Sequence, residues 1–279
     1  MAYRVVILGS GSRGNSLLVA GRKSRLLVDM GLSQRRIVDG LAAQRLAPSD
    51  LDALLVTHTH GDHVGHAAMA FCRRHGVPLA TAADNLAVLR RRFRGLAGRL
   101  DRAGLLREIP PMGFHINGLD VRPFEVPHDA EGLTLGYHLT MGDGPGTAPV
   151  RMAVATDLGH VPPEVLAVLE RAEVLVLESN HDGGMLAASG RPAYLNDRIA
   201  GPDGHLSNRQ TAGTLELLLA RVPAGQLRRV VLAHLSQECN EPQLARREIR
   251  RVLASADGPA PRLLTASQDA PLTVLSGRT

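Results

Sequence analysis

Four short apolar runs in this chain stop at an aspartate or a histidine, and a fifth leads into six residues that hold three histidines and an aspartate. Asp29 closes Leu26-Leu27-Val28, His128 follows Phe124-Glu125-Val126-Pro127, Asp157 follows Met152-Ala153-Val154-Ala155-Thr156, and His234 follows Val230-Val231-Leu232-Ala233. The fifth run, Leu51-Asp52-Ala53-Leu54-Leu55-Val56, is separated only by Thr57 from His58-Thr59-His60-Gly61-Asp62-His63. Runs of this length and makeup read as buried strands. In layered α/β domains the carboxyl ends of such strands line one rim, where ligands bind. A chain with this pattern has to bring several strand ends together, which argues against a helical bundle and for a layered α/β architecture.

The rest of the chain fits one such unit over residues 1–279. Strand-like segments fall at residues 4–8, 16–20, 25–29, 53–57, 119–126, 133–140, 150–156, 174–178 and 229–233. Helical periodicity falls at 34–45, 66–75, 85–93, 163–171, 208–221 and 243–254, with Ser207 and Asn208 as capping residues and Pro162-Pro163 opening a helix. The Gly/Pro-rich stretches 142–149 and 183–204 read as loops rather than linkers, because regular segments resume after each. An apolar content of 44% excludes a largely disordered chain, and no apolar run approaches the roughly 20 residues of a membrane span. Two cysteines, Cys72 and Cys239, make neither a disulfide framework nor a thiolate site, and residues 1–9 lead straight into a strand without a long apolar leader. The expectation is a cytoplasmic protein.

Gly9-Ser10-Gly11-Ser12-Arg13-Gly14 follows a strand and spells the dinucleotide fingerprint, with Asp29 about 20 residues on. Those glycines would have to open a crossover helix. Residues 15–28 instead read as two β-rich runs around Gly21-Arg22-Lys23-Ser24, a hairpin that cannot supply the helix N-terminus on which a pyrophosphate sits. A tight Gly/Ser loop is the better reading.

The His58–His63 segment carries metal chemistry more naturally than packing. A lone histidine is more often a core or surface residue than a ligand, whereas four such groups in six residues would fill a core with polar atoms. His58 and His60, two apart on an extended segment, project to the same side. Asp62 and His63 fall where the chain turns into the next helix and can face a second position. The spacing suggests two adjacent divalent ions, held by imidazole and carboxylate.

In the order Asp29, His58 to His63, His128, Asp157, His234, the chain resembles the metallo-β-lactamase superfamily over essentially its whole length. That resemblance implies a four-layer αββα sandwich with a dinuclear site at the edge of its two sheets. Gly9 to Ser16, Pro127-His128-Asp129, Ala155 to Gly159, Leu177 to Asp182, Gly204 to Asn208 and Leu232 to Ser236 are similar to the YycJ (WalJ) group, which resembles DNA exonucleases. Several of these segments also look like the ribonuclease Z pattern. Thr59, Gly61 and His160 depart from the group's usual Glu, Ser and Tyr, at positions that are not expected ligands.

Carried onto this chain, the resemblance implies that His58, His60 and His128 bind one metal and Asp62, His63 and His234 the other, with Asp157 bridging. Asp29 would hold a ligand imidazole in its tautomer. A water between the ions would be the nucleophile, His205 would protonate the leaving oxygen with Glu178 positioning it, and His181 and Asn208 would face substrate phosphate. Zinc suits a histidine-rich set, and manganese or iron would accept the same ligands. The implied activity is a metal-dependent phosphodiesterase, a DNA exonuclease with nucleic acid as its partner. An RNA nuclease, or a hydrolase of a small thioester, lactone or cyclic phosphodiester, is the alternative on the same fold. The net charge of +5 is almost wholly arginine, with Lys23 the one lysine, in clusters such as Arg90-Arg91-Arg92, Arg246-Arg247 and Arg250-Arg251. With four Phe, three Tyr and no Trp, a base-stacking platform is not expected, so recognition would be of backbone and ends.

Overall fold

A computed structural model of the chain describes residues 3–142, 148–255 and 258–276. Strands β1 (Arg4–Gly9), β2 (Ser16–Ala20) and β3 (Arg25–Val28) form an antiparallel meander. Each later connection in this sheet is a crossover: α1 (Gln34–Ala43) to β4 (Ala53–Leu55), α2 (His66–His75) to β5 (Leu79–Thr81), and α3 (Ala83–Arg92) with α4 (Arg94–Arg102) to β6 (Leu106–Glu108). Strands β3 to β6 are therefore parallel.

The second sheet repeats that plan. Strands β7 (Phe114–Ile116), β8 (Leu119–Glu125), β9 (Leu135–Met141) and β10 (Val150–Ala155) pair antiparallel. The chain then crosses over by α5 (Pro163–Leu169) to β11 (Val174–Glu178), by α6 (Gly183–Ala187), α7 (Ala193–Ala200) and α8 (Asn208–Arg221) to β12 (Arg229–Ala233), and by α9 (Pro242–Ala254) to β13 (Arg262–Thr265), giving parallel ladders from β10 to β13. Strand β14 (Leu272–Leu275) returns to the first sheet beside β1. The two seven-stranded sheets run β14-β1-β2-β3-β4-β5-β6 and β13-β12-β11-β10-β9-β8-β7.

Alternation along the strands makes the layers. Val5 and Ile7 point into a core shared with Val121, Tyr137, Val154 and Val176 of the other sheet, while Val6 and Leu8 lie under α1, α2 and their neighbours. On the far side Leu175, Leu177 and Leu232 meet α5, α8 and α9. Strands buried on both faces read as continuous apolar runs, which is why those at residues 26–28 and 230–233 were visible in the sequence. The result is the expected αββα sandwich, and no helix among the described residues is long and apolar enough to cross a membrane.

The departures have physical causes. Strands β5, β6 and β7 are three residues each, too short for a periodic signal. The stretch 183–204, expected as loop, contains α6, capped by the Asp182 side chain, and α7, an eight-residue helix without a fully buried residue whose apolar signal is short, with Leu195 and Ile199 half-buried. Residues 143–147 of the other expected loop lie outside the described residues. The glycine fingerprint opens no helix: β2 begins at Ser16 and pairs with β3, Leu17 opposite Val28. Its last glycine is needed for another reason. A Cβ on Gly14 would sit 2.5 Å from the carbonyl oxygen of Gly31, and one on Gly31 would sit 1.6 Å from that of Asp62, so the Gly/Ser loop packs directly under the His58–His63 loop.

Candidate metal centre and its cleft

Every parallel strand end that carries a candidate residue opens onto the same rim. Asp29 and His234 directly follow β3 and β12, Asp157 follows β10 after Thr156, and each has a left-handed backbone, φ 60°, 53° and 60° for Asp29, His234 and Asp157. For residues with a Cβ this costs about 1–3 kcal/mol each, a strain that clusters at functional sites. The turn ends each strand where its polar residue begins.

Two groups of donors converge there. In the first, His58 Nε2 lies 3.1 Å from His60 Nδ1, which lies 3.2 Å from His128 Nε2. Nitrogens bound tetrahedrally to one zinc ion at 2.0–2.1 Å would be about 3.3 Å apart, so the spacing suits a shared cation. Their other nitrogens are held: His58 Nδ1 lies 3.0 Å from Thr57 Oγ1, and His128 Nδ1 lies 3.0 Å from the Gly204 carbonyl oxygen, to which it can donate. In the second group, Asp62 Oδ2 lies 3.6 Å from His63 Nε2 and 3.4 Å from His234 Nε2. Asp157 stands between the groups, 3.2 Å from His63 Nε2, 3.3 Å from His234 Nδ1 and 3.9 Å from His128 Nε2. Its Oδ2 is buried and accepts no hydrogen bond. A buried carboxylate oxygen without a donor, among imidazoles whose nitrogens converge, is what a divalent cation satisfies, so the residues present fit the metal that the fold implies.

The electrostatics separate the groups. Burial lowers the pKa of His58, and the imidazoles of His63, His128 and His60 lower it further. Burial and His128 likewise lower that of His60. Burial also opposes charge on His234, but Asp157, Asp62 and Glu178 outweigh it and raise its pKa to about 10. His63 is raised against the same opposition by Asp157 and Asp29. Asp62, despite its burial, is held below the usual carboxylate range by hydrogen bonds from His234 and His63.

Around these groups sit the other candidates. Asp29 Oδ2 is 2.8 Å from His63 Nδ1 and also accepts a hydrogen bond from the Thr57 hydroxyl at 2.9 Å. Glu178, fully buried at the end of β11, accepts the backbone N–H groups of Leu158 and Leu206 on Oε2, while Oε1 lies 2.9 Å from His205 Nδ1 and 2.7 Å from His234 Nδ1. Burial would push its carboxyl up, but His205 and His234 hold it well below the usual range. The same pairing raises the pKa of His205 against desolvation. His205 precedes α8, whose Ser207–Gln210 capping box fixes the turn.

A cleft of about 400 Å³ is lined by His60, Asp62, Asp157, His205 and His234, together with Ser12, Asn180, Arg191 and Arg198. His181 and Asn208 are not on its surface. Asn208 is turned inward, accepting from the Ser179 hydroxyl at 2.6 Å and donating to Asn240 at 2.9 Å, and His181 is buried with its Nδ1 unpaired. The capping turn that presents His205 directs Asn208 into the interior. Sequence reasoning passed over Thr57, whose hydroxyl touches Asp29 and both His58 and His63, and Asn15, whose Nδ2 lies 3.0 Å from His63 Nε2. Their only signal was proximity to motifs already noted. It also passed over Arg191 and Arg198, which lie in the stretch expected to be loop.

The sequence model of the beta-lactamase superfamily domain matches residues 24–235. The chain is 31% identical to the exodeoxyribonuclease WalJ of Streptococcus pneumoniae, over 92% of its own length and 90% of the relative's. It is 29% identical to the exodeoxyribonuclease YycJ of Bacillus anthracis, over 91% and 90%. In fold it is similar to the metallo-beta-lactamase fold protein YhfI from Bacillus subtilis, with a TM-score of 0.67 at 15% identity, covering 97% of this chain and 99% of that one. Fold, convergent donor groups and sequence thus agree, and the chain belongs to the beta-lactamase superfamily as a metal-dependent hydrolase with the metallo-β-lactamase fold.

Proposed function

We propose that this hydrolase is a dinuclear phosphodiesterase that degrades DNA from its ends, folded as one unit over residues 1–279 and working in the cytoplasm. The observation that carries the reading is that two donor groups lie around Asp157 beside the Glu178–His205 pair and open onto one cleft through His60, Asp62, Asp157, His205 and His234. His58, His60 and His128 would hold one cation, Asp62, His63 and His234 the other, and Asp157 both. Cations bound there would supply an acidified water and neutralise charge on the phosphoryl oxygens, with zinc the natural occupant and manganese or iron compatible.

The chain's own residues do the rest. A nucleoside alkoxide leaves poorly without a proton, and the Glu178 carboxylate beside His205 raises its pKa and so favours the form that can donate one. Glu178 fixes His205 through Nδ1, which leaves Nε2 for the leaving oxygen. Asp29 and Thr57 orient His63, and the Gly204 carbonyl orients His128. The relatives named as exodeoxyribonucleases support DNA as substrate. Two buried, unpaired cysteines support a reducing compartment.

The test is to incubate metal-reconstituted protein with end-labelled single- and double-stranded DNA, with RNA and with bis-p-nitrophenyl phosphate. Progressive shortening of DNA from its ends is expected. Brisk thioester hydrolysis without cleavage of any nucleic acid would overturn the reading.

A further inference from the structure

Helix α7 stands apart from every other long helix of the molecule. None of its residues is fully buried, and only Leu195, Asn196 and Ile199 are half-buried. Hydrogen bonds hold it in place: Asn196 Nδ2 donates to the Leu186 carbonyl, and the His205 N–H donates to that of Ile199 near its C-terminal end. What it and the residues before it contribute is two arginines on the wall of the cleft. Arg191, just before α7, and Arg198, within it, line the same cavity as Asp62, Asp157 and His234.

Each guanidinium is anchored by one nitrogen. Arg191 Nη2 donates to Glu238, and Arg198 Nε donates to Asp129, the residue after His128. A guanidinium has five N–H donors in a planar fork that matches phosphate oxygens, so most of the donors on both side chains stay available to a ligand. The wall is also tied to the donor groups, because the Gly204 carbonyl that closes this segment faces His128 Nδ1 at 3.0 Å. The arginines are therefore held at a set distance from the point of cleavage, already anchored for binding.

We infer that Arg191 and Arg198 bind the phosphates that flank the scissile one, so that the cleft selects a polynucleotide strand over an isolated phosphodiester. The inference rests on the phosphodiesterase reading and names the residues that give that site its substrate class. The scissile phosphate belongs to the donor groups. The next phosphates along a strand need cationic partners of their own, and a lone diester has no such phosphates to offer.

The test compares wild type with Arg191→Gln, Arg198→Gln and the double variant, all metal-loaded. Two readouts are taken: binding of a short fluorescent phosphorothioate oligonucleotide across a salt series, and kcat/KM for bis-p-nitrophenyl phosphate. Each substitution is expected to weaken strand binding about tenfold and to make the plot of log affinity against log salt shallower by about 0.7, the value for one lost contact to a single strand. The bis-p-nitrophenyl phosphate rate should fall by no more than about threefold. Equal losses in both readouts would make the wall a support for His128 through Asp129 and overturn the inference, as would unchanged strand binding in the double variant. Weakened strand binding by the variants of a wild type that cuts no nucleic acid would uphold the inference while the nuclease reading fails. A wild type that neither binds nor cuts the strand would overturn both.

Discussion

The two donor groups lie side by side, yet they are built on opposite electrostatic plans. His58, His60 and His128 are all imidazole, and burial with mutual repulsion lowers the pKa of His58 and His60, so those rings are neutral and ready for a cation at neutral pH. Asp62, His63 and His234 combine a carboxylate with imidazoles whose pKa is raised, so protons occupy the places a cation would take. A cation would enter the first group without displacing protons, and the second in exchange for them. The contrast would also bear on metal preference, since an imidazole-rich group favours zinc and one with more carboxylate admits harder ions.

The severest way to break this contrast is to remove what the groups share. Asp157→Ala should cost both cations and about 10³-fold or more in phosphodiester turnover, equivalent to several kcal/mol of lost charge stabilisation, as read by elemental analysis beside a kinetic assay. Full metal content in that variant would overturn the shared role. His205→Gln leaves both groups intact, so turnover should fall 10²–10⁴-fold with two cations retained, and loss of metal would instead make His205 structural.

Finer tests separate the groups. His60→Ala should lower metal content by about one ion per chain and leave the protons released on loading unchanged, whereas Asp62→Asn should reduce that release, measured by titration calorimetry in buffers of different ionisation enthalpy. Identical proton counts for the two variants would erase the distinction. Asp29→Asn, which loosens the far side of His63 and the Thr57 hydroxyl beside it, should weaken metal affinity about 10–100-fold, checked by competition with a chromogenic chelator.

The smallest effect is on stability against pH. His234 rises from 6.5 to about 10 on folding, so in chelator-stripped protein its contribution is complete below pH 6.5 and fades as pH climbs toward 10. Asp62 and Glu178 are depressed, so theirs is present above their ordinary values of 3.8 and 4.5 and is lost only as pH falls. Loading, by contrast, improves as those imidazoles give up protons. The gap in melting temperature between loaded and stripped protein should therefore widen from pH 6.5 to 9, and a narrowing gap would contradict the assignment.

The same contrast explains what could be read without a structure. Donors contributed by one loop, His58 to His63, are adjacent in sequence, and single residues such as Asp157 and His234 were visible because each ends an apolar strand. A layered α/β domain followed from the same runs, and the αββα order from the resemblance to the metallo-β-lactamase superfamily. Thr57 and Asn15 were not visible, because their importance lies in which imidazole nitrogen they meet, and pattern carries no such information. Helix α7 was missed because its eight residues lie among glycines and prolines and offer only the Leu195 and Ile199 pair as a period, and the inward turn of Asn208 follows from a capping geometry that no pattern of residue types records.

The left-handed backbones at Asp29, Asp157 and His234 have a consequence for how this protein can change. At each position glycine would relieve backbone strain of about 1 kcal/mol or more while deleting a side chain of the centre. The same substitutions also remove buried contacts, such as those of Asp29 with Thr57 and His63, so the strain at the rim is carried by the hydrogen bonds and ion pairs of the centre itself. The donors that would serve the chemistry therefore also hold the strand ends in the turned conformation that brings them together.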